Sequence, residues 1–374
     1  MNIIRMPSAT LRPRGRCMAE ITVAEAARFT HAALAGCGVG PDDAEIVLDS
    51  IIFAHTHGKG THGLGRLPIY VRKIRENLMT AQTPLTEIST APAIALLDAA
   101  HGFGQVAAIR GMRRAAQMAK NTGIGLVGIR HSNNFGTAAF VANEAVKQNM
   151  VGIVFSNAAP AIAPTGGKRP LFGTNPLAFG FPASSDQPPI LLDMATSAAA
   201  RGKIRLAGQN GEKIPFGWAL DAAGNPTEDP EAALEGSMVP MAGPKGYGLS
   251  LAIDIMAGLL TGSGFAGTAK PLNHPDQHSD CGHLMFAIDI AKFMPVDEYQ
   301  SQISHLIAAT KASGDLGAVY LPGERAAGFM HGRSDRIPLS VAIMAKLDAL
   351  AKNLDIAPVS PCDNSTANSG KMHL

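Results

Sequence analysis

Between Pro92 and Ser156 the chain alternates three short apolar runs with two longer amphipathic stretches. The runs IALLD (94 to 98), IGLVGI (124 to 129) and VGIVFS (151 to 156) have the length of strands, and the stretches at 104 to 120 and 136 to 148 have helical spacing. A βαβαβ-like series of this kind commits the chain to an α/β architecture. Helices precede it. Thr22 and Glu25 form a capping box ahead of Val23, Ala26, Phe29, Ala33 and Leu34, and Pro41 suits the first turn of a second helix running toward His55. Leu64, Leu67, Tyr70, Val71 and Ile74 repeat the helical pattern. After the series, a Gly/Pro-rich stretch from 157 to 245 reads as holding only short strands, such as ILLDM (190 to 194). A strong helix (243 to 262), a His-rich loop (270 to 282), a strand (283 to 290) and two closing helices near 297 to 311 and 337 to 352 complete the chain.

The spacing divides the 374 residues into a disordered extension (1 to 18), a helical N-terminal segment (19 to 90), a cofactor and substrate domain (91 to 265), a C-terminal segment packing on the N-terminal helices (266 to 355) and a disordered tail (356 to 374). Residues 1 to 17 carry four arginines but no apolar core of a secretory signal, and Met18 reads as a natural start. Lys plus Arg number 32 against 30 for Asp plus Glu, so no broad basic field exists for nucleic acid. No run approaches the roughly 18 apolar residues of a membrane span. Four scattered cysteines without a CxxC imply free thiols and a cytoplasmic setting.

Two literal GxGxxG matches, at Gly58, Gly60, Gly63 and at Gly262, Gly264, Gly267, each follow a helical pattern rather than a strand, so an ordinary Rossmann site is rejected. The segment from His55 to Gly63 concentrates three of 12 histidines. His55 and His57 read equally well as metal ligands and as helix-end residues satisfied by backbone carbonyls. His62 is followed by Arg66 and Tyr70 at intervals of four, which on a helix places a proton carrier, a cation and a phenol on one face, a set suited to a small 2-oxo or 2-hydroxy acid. The His274, His278, Cys281, His283 series reads as a solvated polar loop. Lys245 opens the strong helix and forms a candidate anion site with the helix dipole.

Together these pieces resemble the type 2 malate/L-lactate dehydrogenase family, which includes sulfolactate and ureidoglycolate dehydrogenases and Δ1-piperideine-2-carboxylate reductases. The resemblance is carried by THGLGRLPIY (61 to 70), SNNFG (132 to 136), FSNAAPAIAPTGG (155 to 167), LFGTNPLAFGFP (171 to 182), LLDMATS (191 to 197), AGPKGYGLSL (242 to 251) and LPGER (321 to 325). It implies a non-Rossmann α/β fold, a mixed-sheet cofactor domain with helical terminal segments packed together, commonly in a homodimer. It further implies hydride transfer with NAD or NADP on a small carboxylate, without a metal. By similarity His62 is the general acid/base, Thr61 its hydroxyl partner and Arg66 the carboxylate clamp, with Thr174 touching the substrate; Tyr70 is placed toward the substrate by its spacing alone. Asn133, Asn134, Phe135, Gly136, Thr137, Asp193, Met194, Ala195, Gly323, Glu324 and Arg325 would line the cofactor.

Two departures bear on the substrate. Asn134 stands where many relatives have His, and an amide cannot carry a proton, so ureidoglycolate chemistry is disfavoured. Lys203 matches the hydroxy-acid branch, which favours an alcohol over a cyclic ketimine, the alternative substrate class. More distant rivals are a metal hydrolase built on His55, His57 and His62, and a non-catalytic oligomeric binding protein.

Overall fold

The computed structural model describes residues 18–315, 317–328 and 335–362; the expected extension at 1 to 17 and the tail from 363 lie outside them. The first strand, β1 (Met18–Thr22), leads directly into α1 (Val23–Ala35). The Thr22 hydroxyl accepts the Glu25 amide (3.0 Å), but Glu25 turns its carboxylate to Arg28 and the Ser360 amide, so only half of the expected capping box forms. The next helix, α2 (Pro41–Thr56), begins with Pro at its first position as expected, and α3 (Leu67–Arg75) follows two short 3₁₀ turns.

The sheet elements follow as β2 (Thr86–Ala91), β3 (Ile94–Asp98), α4 (Gly104–Thr122), β4 (Ile124–Ser132), α5 (Ala138–Val146), β5 (Met150–Ser156), β6 (Leu177–Phe181) and β7 (Ile190–Met194). The Gly/Pro-rich stretch holds more than strands: α6 (Arg201–Asn210), β8 (Ala219–Leu220), β9 (Pro226–Thr227), α7 (Pro230–Glu235) and β10 (Ser237–Met238) make a small lobe around Ile162, Ile204, Ala219 and Met238. α8 (Pro244–Ile253) continues as a π-helical turn over Asp254–Leu259. The chain closes with β11 (Cys281–Asp289), α9 (Val296–Ala312), α10 (Glu324–Ala327), β12 (Arg336–Ser340) and α11 (Val341–Leu354).

The main sheet has seven strands in the order β2-β3-β4-β11-β5-β6-β7. β3 and β4 pair in parallel, but β11 enters antiparallel to both neighbours between β4 and β5. The βαβαβ-like series is therefore real in order and split in space, and the strand expected at 283 to 290 in the C-terminal segment sits, as residues 281 to 289, in the middle of the main sheet. β1 and β12 form a separate antiparallel pair that ties the two ends together, beside contacts among α1, α3 and α11. One apolar core runs from Phe29, Leu34 and Leu67 through Phe103, Val127 and Met285 to Ile337 and Leu347, so the terminal helices and the sheet are packed as one body. The tail corrects the sequence expectation as far as it is described. Arg28 donates to the Pro358 carbonyl (2.8 Å), the Cys362 amide donates to the Glu20 carbonyl (2.6 Å), and Val359 is buried.

Candidate active site

Where α2 ends, the chain makes a compact turn rather than a continuous helix. Gly60–His62 and Leu64–Arg66 are separate 3₁₀ turns, broken at Gly63 (φ −88°, ψ −153°). Gly is required at this point because a Cβ would lie 2.1 Å from His55 Nε2. His55 is buried below the turn and its Nε2 accepts the Leu64 amide (3.0 Å), while burial pushes its pKa down to about 4. That imidazole is neutral and supports the turn through a backbone amide, not through the carbonyl expected of a helix-end histidine.

The break redistributes the three groups expected on one face. Tyr70 points into the core at 1% exposure, where its hydroxyl accepts from Gln105 Nε2 (2.6 Å) and its ring meets Phe103 edge-on, so it floors the turn and is closed to a substrate. His62 and Arg66 stay together above it. Arg66 Nε donates to the Thr61 carbonyl (2.7 Å), which aims the guanidinium. Among the described residues Arg66 has no carboxylate within ion-pairing distance, and Glu76 pairs with Arg72 instead (3.3 Å). Burial first, then the charges of Arg66 and Lys59, push the His62 pKa down to about 4. Its ring makes no hydrogen bond among the described residues, so it is a neutral imidazole with its proton-accepting nitrogen unspent. The Thr61 methyl lies against the start of α6, where a Cβ on Gly202 would sit 3.5 Å away.

Lys59 also faces a cavity of about 470 Å³. Its walls are Phe53 of α2, His57 and Lys59 just past its end, Ala139 of α5, Leu191 to Asp193 of β7, and Tyr320 to Gly323 with Arg325 and Ala326. His57 stacks on Phe53 (3.7 Å between ring centres) and turns Nδ1 to the Phe53 carbonyl (2.9 Å), as expected of a helix-end histidine. Burial raises the Asp193 pKa, against the opposing pull of Lys59, the Ala139 amide and His57. Gly323 (φ +88°) passes so close to β7 that a Cβ would lie 2.8 Å from the Leu191 carbonyl. Arg325 lies 4.3 Å over the Tyr320 ring. Neither Lys59 nor Arg325 has an ion-pair partner among the described residues. Glu324 lines an adjoining cavity of about 370 Å³ and holds Lys311.

Two unpaired cations, flat aromatic and apolar walls and the N-terminus of α5 form a donor set that fits an elongated dinucleotide carrying phosphates. Ser50 Oγ and Thr137 Oγ1 are buried hydroxyls without a hydrogen-bond partner among the described residues. The expected loop residues 133 to 137 line neither cavity; the loop leads into α5, whose Ala139 does line the first. Asn134 Oδ1 accepts the Gly136 amide (3.1 Å) in a tight turn, Asn133 is buried with Nδ2 on the His101 and Gly102 carbonyls, Phe135 is buried, and Thr137 stands at the N-cap position of α5 without a side-chain hydrogen bond. Met194 ends β7, Ala195 follows it, and the Thr174 carbonyl accepts from the Thr196 amide and hydroxyl (2.9 and 3.0 Å). Thus Asp193, Gly323 and Arg325 share one cavity and Glu324 borders the next. Lys245 is exposed on α8 and lines neither, so the expected anion site there does not form part of these cavities.

The His-rich series also separates. His274 pairs with Asp276, His278 stacks on His101 (3.9 Å), and His283 is fully buried in β11, which corrects its assignment to a solvated loop. Cys281 is buried, and burial raises its pKa to about 12. Among the described residues no group of three His, Cys, Asp or Glu is arranged to hold a metal ion, and His55 and His57 are committed to the backbone. Sequence reasoning missed His57, Lys59 and Tyr320 as cavity walls; the only available signal was their adjacency to the His62 segment and to LPGER.

The sequence model of a family described as "Malate/L-lactate dehydrogenase" matches residues 21–348. An "L-sulfolactate dehydrogenase" of Methanothermobacter thermautotrophicus is 39% identical over 337 residues, 90% of this chain and 97% of that protein. A "(2R)-3-sulfolactate dehydrogenase (NADP(+))" of Chromohalobacter salexigens is 38% identical over 332 residues, 88% of this chain and 98% of that one. The solved sulfolactate dehydrogenase of Methanocaldococcus jannaschii superposes with a TM-score of 0.85 at 33% identity, covering 90% of this chain and 98% of its own.

Proposed function

The chain belongs to the malate/L-lactate dehydrogenase family, and on that premise we propose that it interconverts a small 2-hydroxy acid and its 2-oxo acid, of the malate, lactate or sulfolactate kind. NAD or NADP supplies the hydride acceptor or donor through its nicotinamide ring. The observation that carries the reading is the pairing of a neutral His62 with a braced Arg66, the ring without a hydrogen bond and the cation without a carboxylate among the described residues.

The residues divide the work by their chemistry. Arg66 presents two parallel donors to the substrate carboxylate, which orients C2 and its hydroxyl toward His62. His62 accepts the hydroxyl proton as the C2 hydrogen departs, and a pKa near 4 keeps it in the accepting form throughout neutral pH. Thr61 and Thr174 offer hydroxyls to the substrate. Lys59 and Arg325 would hold the cofactor phosphates, with Asn133 to Thr137, Asp193 to Ala195, Gly323 and Glu324 along its length. Ketimine reduction is the second reading; it draws on the same His62 proton as reduction of a 2-oxo acid, so the substrate panel and not the histidine separates the two.

Leu249, Ile255, Leu259, Leu260 and Phe265 are exposed along and beyond α8, an apolar stripe that supports a homodimer. Cys37, Cys281 and Cys362 are free, in keeping with a cytoplasmic protein, and among the described residues no helix is long and apolar enough to cross a membrane. A panel of 2-oxo acids and cyclic imines, each with NADH and NADPH, tests the reading. Turnover of a 2-oxo acid supports it; turnover of imines alone replaces it with ketimine reduction.

A further inference from the structure

The His283 imidazole has no part in the proton transfer described above, yet it sits fully buried in the central strand of the sheet. Its Nδ1 lies 2.9 Å from the Ser156 hydroxyl at the end of β5, and its Nε2 lies 2.9 Å from the Ser132 hydroxyl at the end of β4. A neutral imidazole has one donor and one acceptor, so one serine gives a proton to the ring and the other takes one from it, and both nitrogens are spent. Burial keeps the ring in that neutral form, with its pKa pushed down to about 3.

The local backbone is shaped for this bridge. β11 pairs Cys281 with Ser132 but His283 with Ile129, so β4 carries one extra residue there, and His131 absorbs it at φ +48°. Such a bulge re-aims the residues that follow it. Each serine then opens a segment of the site. Ser132 precedes the Asn133 to Thr137 loop, whose Phe135 ring packs 4.8 Å from the imidazole. Ser156 precedes Asn157, and the next amide, of Ala158, donates to Asn175 Oδ1 (3.0 Å), the neighbour of Thr174. One ring therefore spans the cofactor-side loop and the substrate-side loop.

Resting on the reading of the site given above, we propose that His283 is a positioning residue for hydride transfer: the Ser132–His283–Ser156 bridge fixes the Asn133 loop relative to the segment that carries Thr174. Hydride transfer demands reacting atoms about 3–3.5 Å apart, and a displacement of an ångström costs on the order of 100-fold in rate. Loss of the bridge should thus lower kcat more than it weakens binding.

The test compares wild type with His283→Leu, His283→Gln, Ser132→Ala, Ser156→Ala and the double serine variant. The readouts are kcat per folded molecule on the best 2-oxo acid, NADH and NADPH dissociation constants by fluorescence, and the primary isotope effect with cofactor deuterated at the transferring position. His283→Leu is expected to lower kcat roughly 10- to 100-fold, raise the isotope effect and leave the cofactor dissociation constant within about threefold. His283→Gln, which keeps a donor and an acceptor, should recover part of that loss. The double serine variant should reproduce His283→Leu, and it carries the test alone if the leucine variant does not fold. Wild-type kcat and isotope effect in these variants, with only a lowered melting temperature, would make the bridge structural and overturn the proposal. A wild type that turns over no 2-oxo acid and no imine removes the reading of the site itself, and this proposal with it.

Discussion

The turn at the end of α2 and the middle of β11 each hold a histidine that the fold keeps uncharged, and the two differ in what remains unspent. His283 has both nitrogens bonded, to Ser132 and Ser156, and no cation among the causes of its lowered pKa. His62 has no ring hydrogen bond among the described residues and feels the charges of Arg66 and Lys59. Burial alone does not make a histidine reactive. An imidazole with an open nitrogen beside an unpaired cation can exchange a proton with a bound acid; one saturated with hydrogen bonds can only hold its surroundings in place.

The sharpest way to break this contrast is substitution at the turn. His62→Gln should lower kcat/KM by roughly 10²- to 10⁴-fold with little change in melting temperature or in NADH and NADPH affinity. A variant that retains activity would remove His62 from the chemistry. Arg66→Ala should lose about 2–5 kcal/mol of kcat/KM on a 2-oxo acid, with Arg66→Lys between it and wild type, because a single ammonium replaces a two-pronged fork. Unchanged KM in Arg66→Ala would mean that the guanidinium does not meet the substrate.

Acid stability treats the two regions alike, which sharpens the comparison from the other side. His62 and His283, with His55, have folded pKa values of about 4, 3 and 4, below the ordinary 6.5. The unfolded chain therefore takes up protons that the folded chain refuses between about pH 6.5 and 4. Their stabilising contribution is fully present above 6.5 and is lost as pH falls through that window, by up to about 1.4 kcal/mol per pH unit for each group. Urea titrations at pH 4.5, 5.5 and 6.5 should show a shallower slope in His62→Gln as well as in His283→Gln; equal slopes in all three proteins would contradict the lowered proton affinities. Smaller still, Gly63→Ala should cost about 1–3 kcal/mol, since its Cβ would strike His55 Nε2 and displace the support of the turn. An undiminished unfolding midpoint would show that the turn tolerates a side chain there.

Local chemistry made much of the fold legible. Thr22 and Pro41 mark the starts of α1 and α2, and the strands at 94 to 98 and 190 to 194 have the expected limits. What escaped is set by distant partners. β1 is defined by pairing with β12 more than 300 residues away, and β11 takes its place between β4 and β5 without any sign in its own apolar pattern. His283 was misread for the same reason, since only the neighbouring strands bring the two serines to it. At the site, His62 and Arg66 were legible from spacing, although the break at Gly63 took Tyr70 away from them. Asp193, Gly323 and Arg325 entered only through resemblance, because their cavity is assembled from the end of α2, β7 and the segment at 320 to 326.

The role of His62 as an uncharged proton acceptor is tested most directly by the pH dependence of kcat/KM between pH 5.5 and 8, on the best acid in both directions. With a pKa of about 4, oxidation of the 2-hydroxy acid should be flat across the range, while reduction of the 2-oxo acid should fall about tenfold for each unit of rising pH. An inflection near 6.5, with oxidation falling below it and reduction levelling off, would show an ordinary histidine at work and contradict the role given to the turn.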